Sequence, residues 1–159
     1  MEAQGVRMLK IGAVQFPAEG CACGAGGVLG RFLGHLTPGG ADRVVVDLPA
    51  AGPDPLELPP GILAEPDWVL GVIAPTYGSF RLARDLLNRE SAFAPAQVGL
   101  VINKAEASTG SPWGEILDPR RVLAELPLRD DLAHAERAGA PLSSGGRAIE
   151  ALCRRLEAS

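Results

Sequence analysis

The chain has 159 residues, 47% of them apolar, and a formal net charge of −4. That apolar content excludes a disordered chain and the length allows one domain, residues 1–159, with a core of useful size. The mild acidity gives no footprint for nucleic acid. No apolar run approaches the length of a bilayer span, and the amino terminus lacks a basic-then-apolar signal, so a cytoplasmic protein with reduced cysteines is expected.

Residues 8–14 read as the first strand. Next comes Glu19-Gly20-Cys21-Ala22-Cys23-Gly24, with two thiols one residue apart. In extended backbone such positions point to the same side, and two thiolates half fill a tetrahedral zinc or soft-metal site. A second copy of the chain about a two-fold axis would complete four ligands. The alternative is a pair of reduced thiols near the core. Val28, Leu29, Phe32, Leu33 and Leu36 then recur at helical spacing, and the helix ends at Thr37-Pro38-Gly39-Gly40.

Residues 43–48 (Arg-Val-Val-Val-Asp-Leu) form a nearly continuous apolar strand of the kind covered on both faces. Proline-rich residues 49–60 read as a loop, and residues 68–74 as the third strand. Ser79 is placed to cap a helix whose Phe80, Ala83, Leu86 and Leu87 face inward. Residues 97–103 and 122–126 are the fourth and fifth strands, and residues 130–138 and 147–157 the closing helices. Strands alternating with helices imply an α/β fold, a parallel sheet with helices on both faces. Cys153 shares a helical face with Ile149, Leu152 and Leu156 and is expected in the core. His35 and His134 have no partner at metal spacing.

In open parallel sheets, chemistry gathers at the carboxyl ends of strands. Asp47 ends the Val-Val-Val run, where a carboxylate either serves magnesium and an attacking water or caps a turn. Asn103-Lys104 ends the fourth strand, where a carboxamide either reads a base edge or takes a left-handed turn. Pro127 closes the fifth strand, with Arg129 and Asp130 just beyond. The lysines are Lys10 and Lys104, neither in a Gly-Lys-Ser/Thr loop, so these residues carry no phosphate cradle of the usual kind.

The order of these segments resembles the deviant phosphate-loop ATPases of the cell-division-positioning and plasmid-partitioning class. The matching stretches are Val-Val-Val-Asp-Leu-Pro at 44–49, Ile-Ala-Pro at 73–75, Leu-Val-Ile-Asn-Lys at 100–104, and Glu-Leu-Pro-Leu-Arg-Asp-Asp at 125–131, then Ala138-Gly139-Ala140-Pro141-Leu142. Within that class, residues 12–36 are most similar to the nickel-insertion ATPase that matures carbon monoxide dehydrogenase. There a Gly-Cys-x-Cys segment precedes a helix with an end like Arg31-Phe32-Leu33-Gly34-His35-Leu36.

The resemblance implies a P-loop NTPase-like, partitioning-type fold. It also implies nickel or zinc bound by Cys21 and Cys23 between two subunits, Asp47 near magnesium and the γ-phosphate, Asn103 on adenine, and Lys104, Pro127 and Arg129 bordering the nucleotide. A homodimer through Cys21 and Cys23 and a metalloenzyme client follow from the same likeness. The family's first strand and Lys-Gly-Gly-type loop would fall before Met1, and its switch segment is replaced by Asp47-Leu48-Pro49-Ala50-Ala51-Gly52-Pro53. ATP and magnesium are therefore expected only where the missing loop is supplied. Three readings follow: a metal-handling maturation factor degenerate or truncated for hydrolysis, a non-catalytic regulator or scaffold of the same fold, and the carboxyl-terminal part of an intact ATPase.

Overall fold

The computed structural model describes residues 2–3, 6–7, 32, 35, 43–48, 66–93, 96–106, 112–140 and 146–158. The chain divides into two units, Met1–Pro66 and Asp67–Ser159. In the first unit two short strands, β1 (Glu2–Ala3) and β2 (Val6–Arg7), pair antiparallel, with Glu2 opposite Arg7 and Ala3 opposite Val6. The alternating pattern of the sequence begins only at residue 8, so this pairing is an addition to it.

The expected strand over 43–48 does not form. These residues lie outside any strand, and Val45 is 90% exposed. Consecutive valines supply β-propensity, but a strand exists only through a ladder with a neighbour, and among the described residues none pairs with them. The expected strand over 8–14, the loop over 49–60, and Cys21 and Cys23 fall outside the described residues. So does the helix over 28–36, apart from Phe32, which is helical, and His35, whose N–H donates to the Phe32 carbonyl at 3.1 Å.

The second unit is built on a parallel sheet in the order β3 (Trp68–Ile73), β4 (Gln97–Ala105), β5 (Val122–Pro127). β3 and β4 run in register from Trp68 opposite Gln97 to Ile73 opposite Ile102. β4 is the middle strand, and residues 98–102 are buried without interruption, as in a strand covered on both faces. β3 alternates instead: Val69, Gly71 and Ile73 are half-buried, whereas Leu70 and Val72 are exposed. The two-residue side-chain period sets Leu70 and Val72 on the face of Gly99 and Val101, away from Leu100 and Ile102. Gly99 is a close approach. A Cβ there would stand 2.4 Å from Leu123 Cδ1, so only a glycine lets that leucine lie across β4.

Helix α1 (Tyr77–Asn88) connects β3 to β4 and packs on the face of Leu100 and Ile102. Phe80 and Ala83, about one turn apart, are buried with Leu100, Ile102, Leu117 and Val122, and Leu86, Leu87, Trp113 and Ile116 close around them. The cap is Thr76 rather than Ser79. Thr76 Oγ1 accepts from the Ser79 N–H at 3.3 Å and donates to Ser79 Oγ at 2.9 Å, which satisfies a first-turn amide that has no partner within the helix.

After β5 come α2 (Asp130–Ala138) and α3 (Gly146–Glu157). Arg155 ties α3 to the start of β5, its Nη1 donating to the carbonyls of Val122 and Leu123 at 3.3 Å each. Cys153 is exposed, contrary to the core position expected for it. The buried residue of α3 is Leu152, and the next residue along a helix is turned by about 100° from it. Sharing a face with Ile149 and Leu156 was therefore not enough to bury the thiol. Among the described residues no helix is long and apolar enough to cross a membrane.

The core assignment predicts a contrast within α1. Phe80→Ala should lower stability in urea by about 3 to 5 kcal/mol, while Leu82→Ala, at a 49% exposed position, should stay within about 0.5 kcal/mol. Equal losses from the two substitutions would contradict the packing described.

Candidate functional site

Parallel pairing delivers the carboxyl ends of β3, β4 and β5 to one edge of the sheet. β3 leads there into Ala74-Pro75-Thr76 and the capped start of α1. β4 arrives with Asn103 and Lys104, and β5 with Pro127, which runs on to Arg129. Asn103 lies opposite Leu126 and Ala105 opposite Pro127, and the Leu128 N–H donates to the Ala105 carbonyl at 3.0 Å. Those bonds hold the segment carrying Asn103 and Lys104 beside the one carrying Pro127 and Arg129.

The pairing is irregular between Asn103 and Ala105, and Lys104 is the extra residue, with φ of 62°. The residue in left-handed backbone is thus Lys104 and not Asn103, as the turn alternative would have had it. Asn103 makes this possible, because its Oδ1 accepts the Lys104 N–H at 2.9 Å and so satisfies an amide that the bulge withdraws from the ladder. The same bond orients the half-buried carboxamide. With the oxygen turned to the backbone, Nδ2 is presented as a donor, suited to an acceptor on a heterocycle edge.

Arg129 stands at the N-cap of α2 in extended backbone and makes no side-chain cap bond. Its guanidinium instead grips Asp131: Nε donates to Oδ1 at 3.0 Å and Nη2 donates to Oδ2. The hydrogen bond from Arg129 holds the Asp131 carboxyl below its ordinary range, and that bond holds the Arg129 guanidinium above its own. Asp131 was not singled out in the sequence. The signal available was an acidic residue two positions after Arg129, at a distance that a planar guanidinium spans.

Among the residues expected to act, Asn103, Lys104, Pro127 and Arg129 are thus brought to one edge of the second unit. Asp47 is exposed and belongs to the first unit. Among the described residues no three His, Cys, Asp or Glu side chains gather to hold a metal ion, and Cys21 and Cys23 stand outside them.

No family model matches the chain. It is 27% identical over 133 residues to an uncharacterized ATP-binding protein of Methanocaldococcus jannaschii, a match that covers 83% of this chain and 51% of that protein. The chain therefore spans about half the length of the curated relative it matches. An α/β unit with a three-stranded parallel sheet and helices, weakly similar to an ATP-binding protein, is consistent with a P-loop NTPase-like fold.

Two outcomes test the geometry of this edge. Lys104→Gly should raise stability by up to about 1 kcal/mol, because glycine takes left-handed backbone without the strain a lysine bears there. Lys104→Val should lower it, and a loss from the glycine variant would contradict the bulge. The Asp131 carboxyl is depressed in the folded chain, so its contribution is present above the unfolded carboxylate range and is lost as pH falls through the folded value. Asp131→Asn should accordingly flatten the acid limb of a stability-against-pH profile, read by thermal melts. An unchanged limb would contradict the Arg129–Asp131 pairing.

Proposed function

We propose that this chain binds an adenine nucleotide at the carboxyl edge of β3–β5, as the base-holding part of a partitioning-type, phosphate-loop ATPase. Asn103 contacts the base, and Lys104, Pro127 and Arg129 border the nucleotide. The observation that carries this reading is the Asn103 carboxamide, fixed by the Lys104 N–H with its nitrogen left to donate. The likeness to an ATP-binding protein supports it from outside. Hydrolysis requires a lysine-bearing phosphate loop that these 159 residues do not carry. Where one is supplied, Asp47 is the carboxylate suited to magnesium and an attacking water.

A second component concerns metal as cargo. Cys21 and Cys23 offer two soft donors one residue apart, a set that fits nickel or zinc and is completed by the same pair from a second copy. The nucleotide state would open or close that shared site by favouring one arrangement of the two copies. In this reading the protein is an accessory factor that hands metal to a metalloenzyme. The support is thiolate chemistry and spacing together with the resemblance of residues 12–36 to the nickel-insertion family.

ATP titrated into the full chain by calorimetry should bind, and Asn103→Ala should weaken binding by about tenfold, the loss of one good polar contact. Absence of ATP binding, or an unaffected Asn103→Ala variant, would overturn the nucleotide reading. For the metal, Cys21→Ser with Cys23→Ser should abolish bound nickel or zinc by elemental analysis and shift the chain from dimer to monomer by light scattering. Unchanged metal content would end that component and leave the nucleotide site standing.

A further inference from the structure

The most exposed large apolar side chain among the described residues is Val45, at 90%, and its neighbours Val44 and Val46 are exposed at 49% and 36%. A row of β-branched residues is suited to strand pairing, yet among the described residues no strand pairs with it. Neither lysine nor proline, the usual guards of an open strand, interrupts residues 43–48. Pro49 follows at once and, with no N–H to give a ladder, limits any pairing to this short run. The run instead carries one charge of each sign, Arg43 two residues before Val45 and Asp47 two residues after it. Both side chains are exposed.

We propose that residues 43–47 form an antiparallel strand pair with the same residues of a second copy, about a two-fold axis at Val45. In that register Val45 faces Val45, Val44 faces Val46, and Arg43 of each copy faces Asp47 of the other. Opposite charges at paired positions stabilise an antiparallel ladder, and like charges oppose it. The pattern therefore selects one arrangement. Parallel pairing in register would set Arg43 against Arg43 and Asp47 against Asp47. An antiparallel slip by one residue would leave Arg43 facing Val46 or Leu48. Arg43 has an interaction within its own chain as well, and the five donors of a guanidinium serve more than one partner. A two-stranded pair is marginal in water, so the dimer is weak and forms as concentration rises. It needs no metal, unlike a dimer bridged through Cys21 and Cys23. The Asp47 carboxylate cannot serve magnesium and the arginine of a second copy at once, so the two roles exclude each other at any one moment.

The test is sedimentation of the full chain, in EDTA and a thiol reductant, from micromolar to millimolar concentration. Wild type should dimerise reversibly. Arg43→Asp and Asp47→Arg should each weaken the dimer at least about tenfold, because two attractive pairs become repulsive. The double variant Arg43→Asp/Asp47→Arg should restore it. An equimolar mixture of the two single variants should form a heterodimer, since one carries acid at both positions and the other base at both; its formation also shows that both variants fold. A wild type that stays monomeric, a dimer indifferent to either charge reversal, or a mixture without heterodimer would overturn the proposal. So would a dimer that appears only when nickel or zinc replaces EDTA, which would belong to Cys21 and Cys23.

Discussion

Because β3, β4 and β5 run parallel, with β4 buried between its neighbours, three strand ends meet at a single edge, and every candidate residue of the second unit depends on that arrangement. Antiparallel pairing would have sent Asn103 and Pro127 to opposite ends of the sheet. Parallel pairing instead sets Asn103 beside Leu126 and Ala105 beside Pro127. The core on one face, centred on Phe80, Leu100 and Ile102, keeps β4 from sliding, since a one-residue slip would exchange its two faces and bring Gly99 and Val101 to where Leu100 and Ile102 pack. The packing and the candidate site are therefore one construction.

At that edge the chain departs from local preference twice. Lys104 takes a backbone conformation that favours glycine, and Arg129 takes a cap that favours a small oxygen-bearing side chain. Other element ends follow the local rules: Thr76, at the same edge, caps α1 with its hydroxyl, and Arg155 sits in the last turn of α3. Departures collected in one place, within otherwise consistent elements, mark where a sequence serves something other than stability. Here both departures involve basic residues, Lys104 next to the oriented Asn103 carboxamide and Arg129 two residues beyond Pro127.

The second unit was largely legible in the sequence because its periods are strong. The apolar run at 97–103 became a strand two residues longer, and the 3–4 spacing of Phe80, Ala83 and Leu87 became a helix, though one that starts at Tyr77, ahead of the Ser79 cap expected for it. The run at 43–48 looked equally strong and formed no strand, since a row of valines states a propensity and not a partner. Cys153 was misplaced by the narrowness of the buried stripe on α3. At the site, the residue types at the strand ends were readable, but their geometry was not. Nothing in Asn103-Lys104 says which of the two adopts left-handed backbone, and the Arg129–Asp131 grip depends on a helix start whose position only the fold decides.

The central claim is that a nucleobase sits on the carboxyl edge of β4 and β5. Its most direct test is a titration of isotope-labelled chain with adenosine, followed through backbone amide resonances. The account predicts saturable shifts concentrated at residues 74–76, 103–105 and 128–131, with the amides of the α3 residues 152–157 unmoved. Shifts centred elsewhere, or none at saturating adenosine, would contradict it.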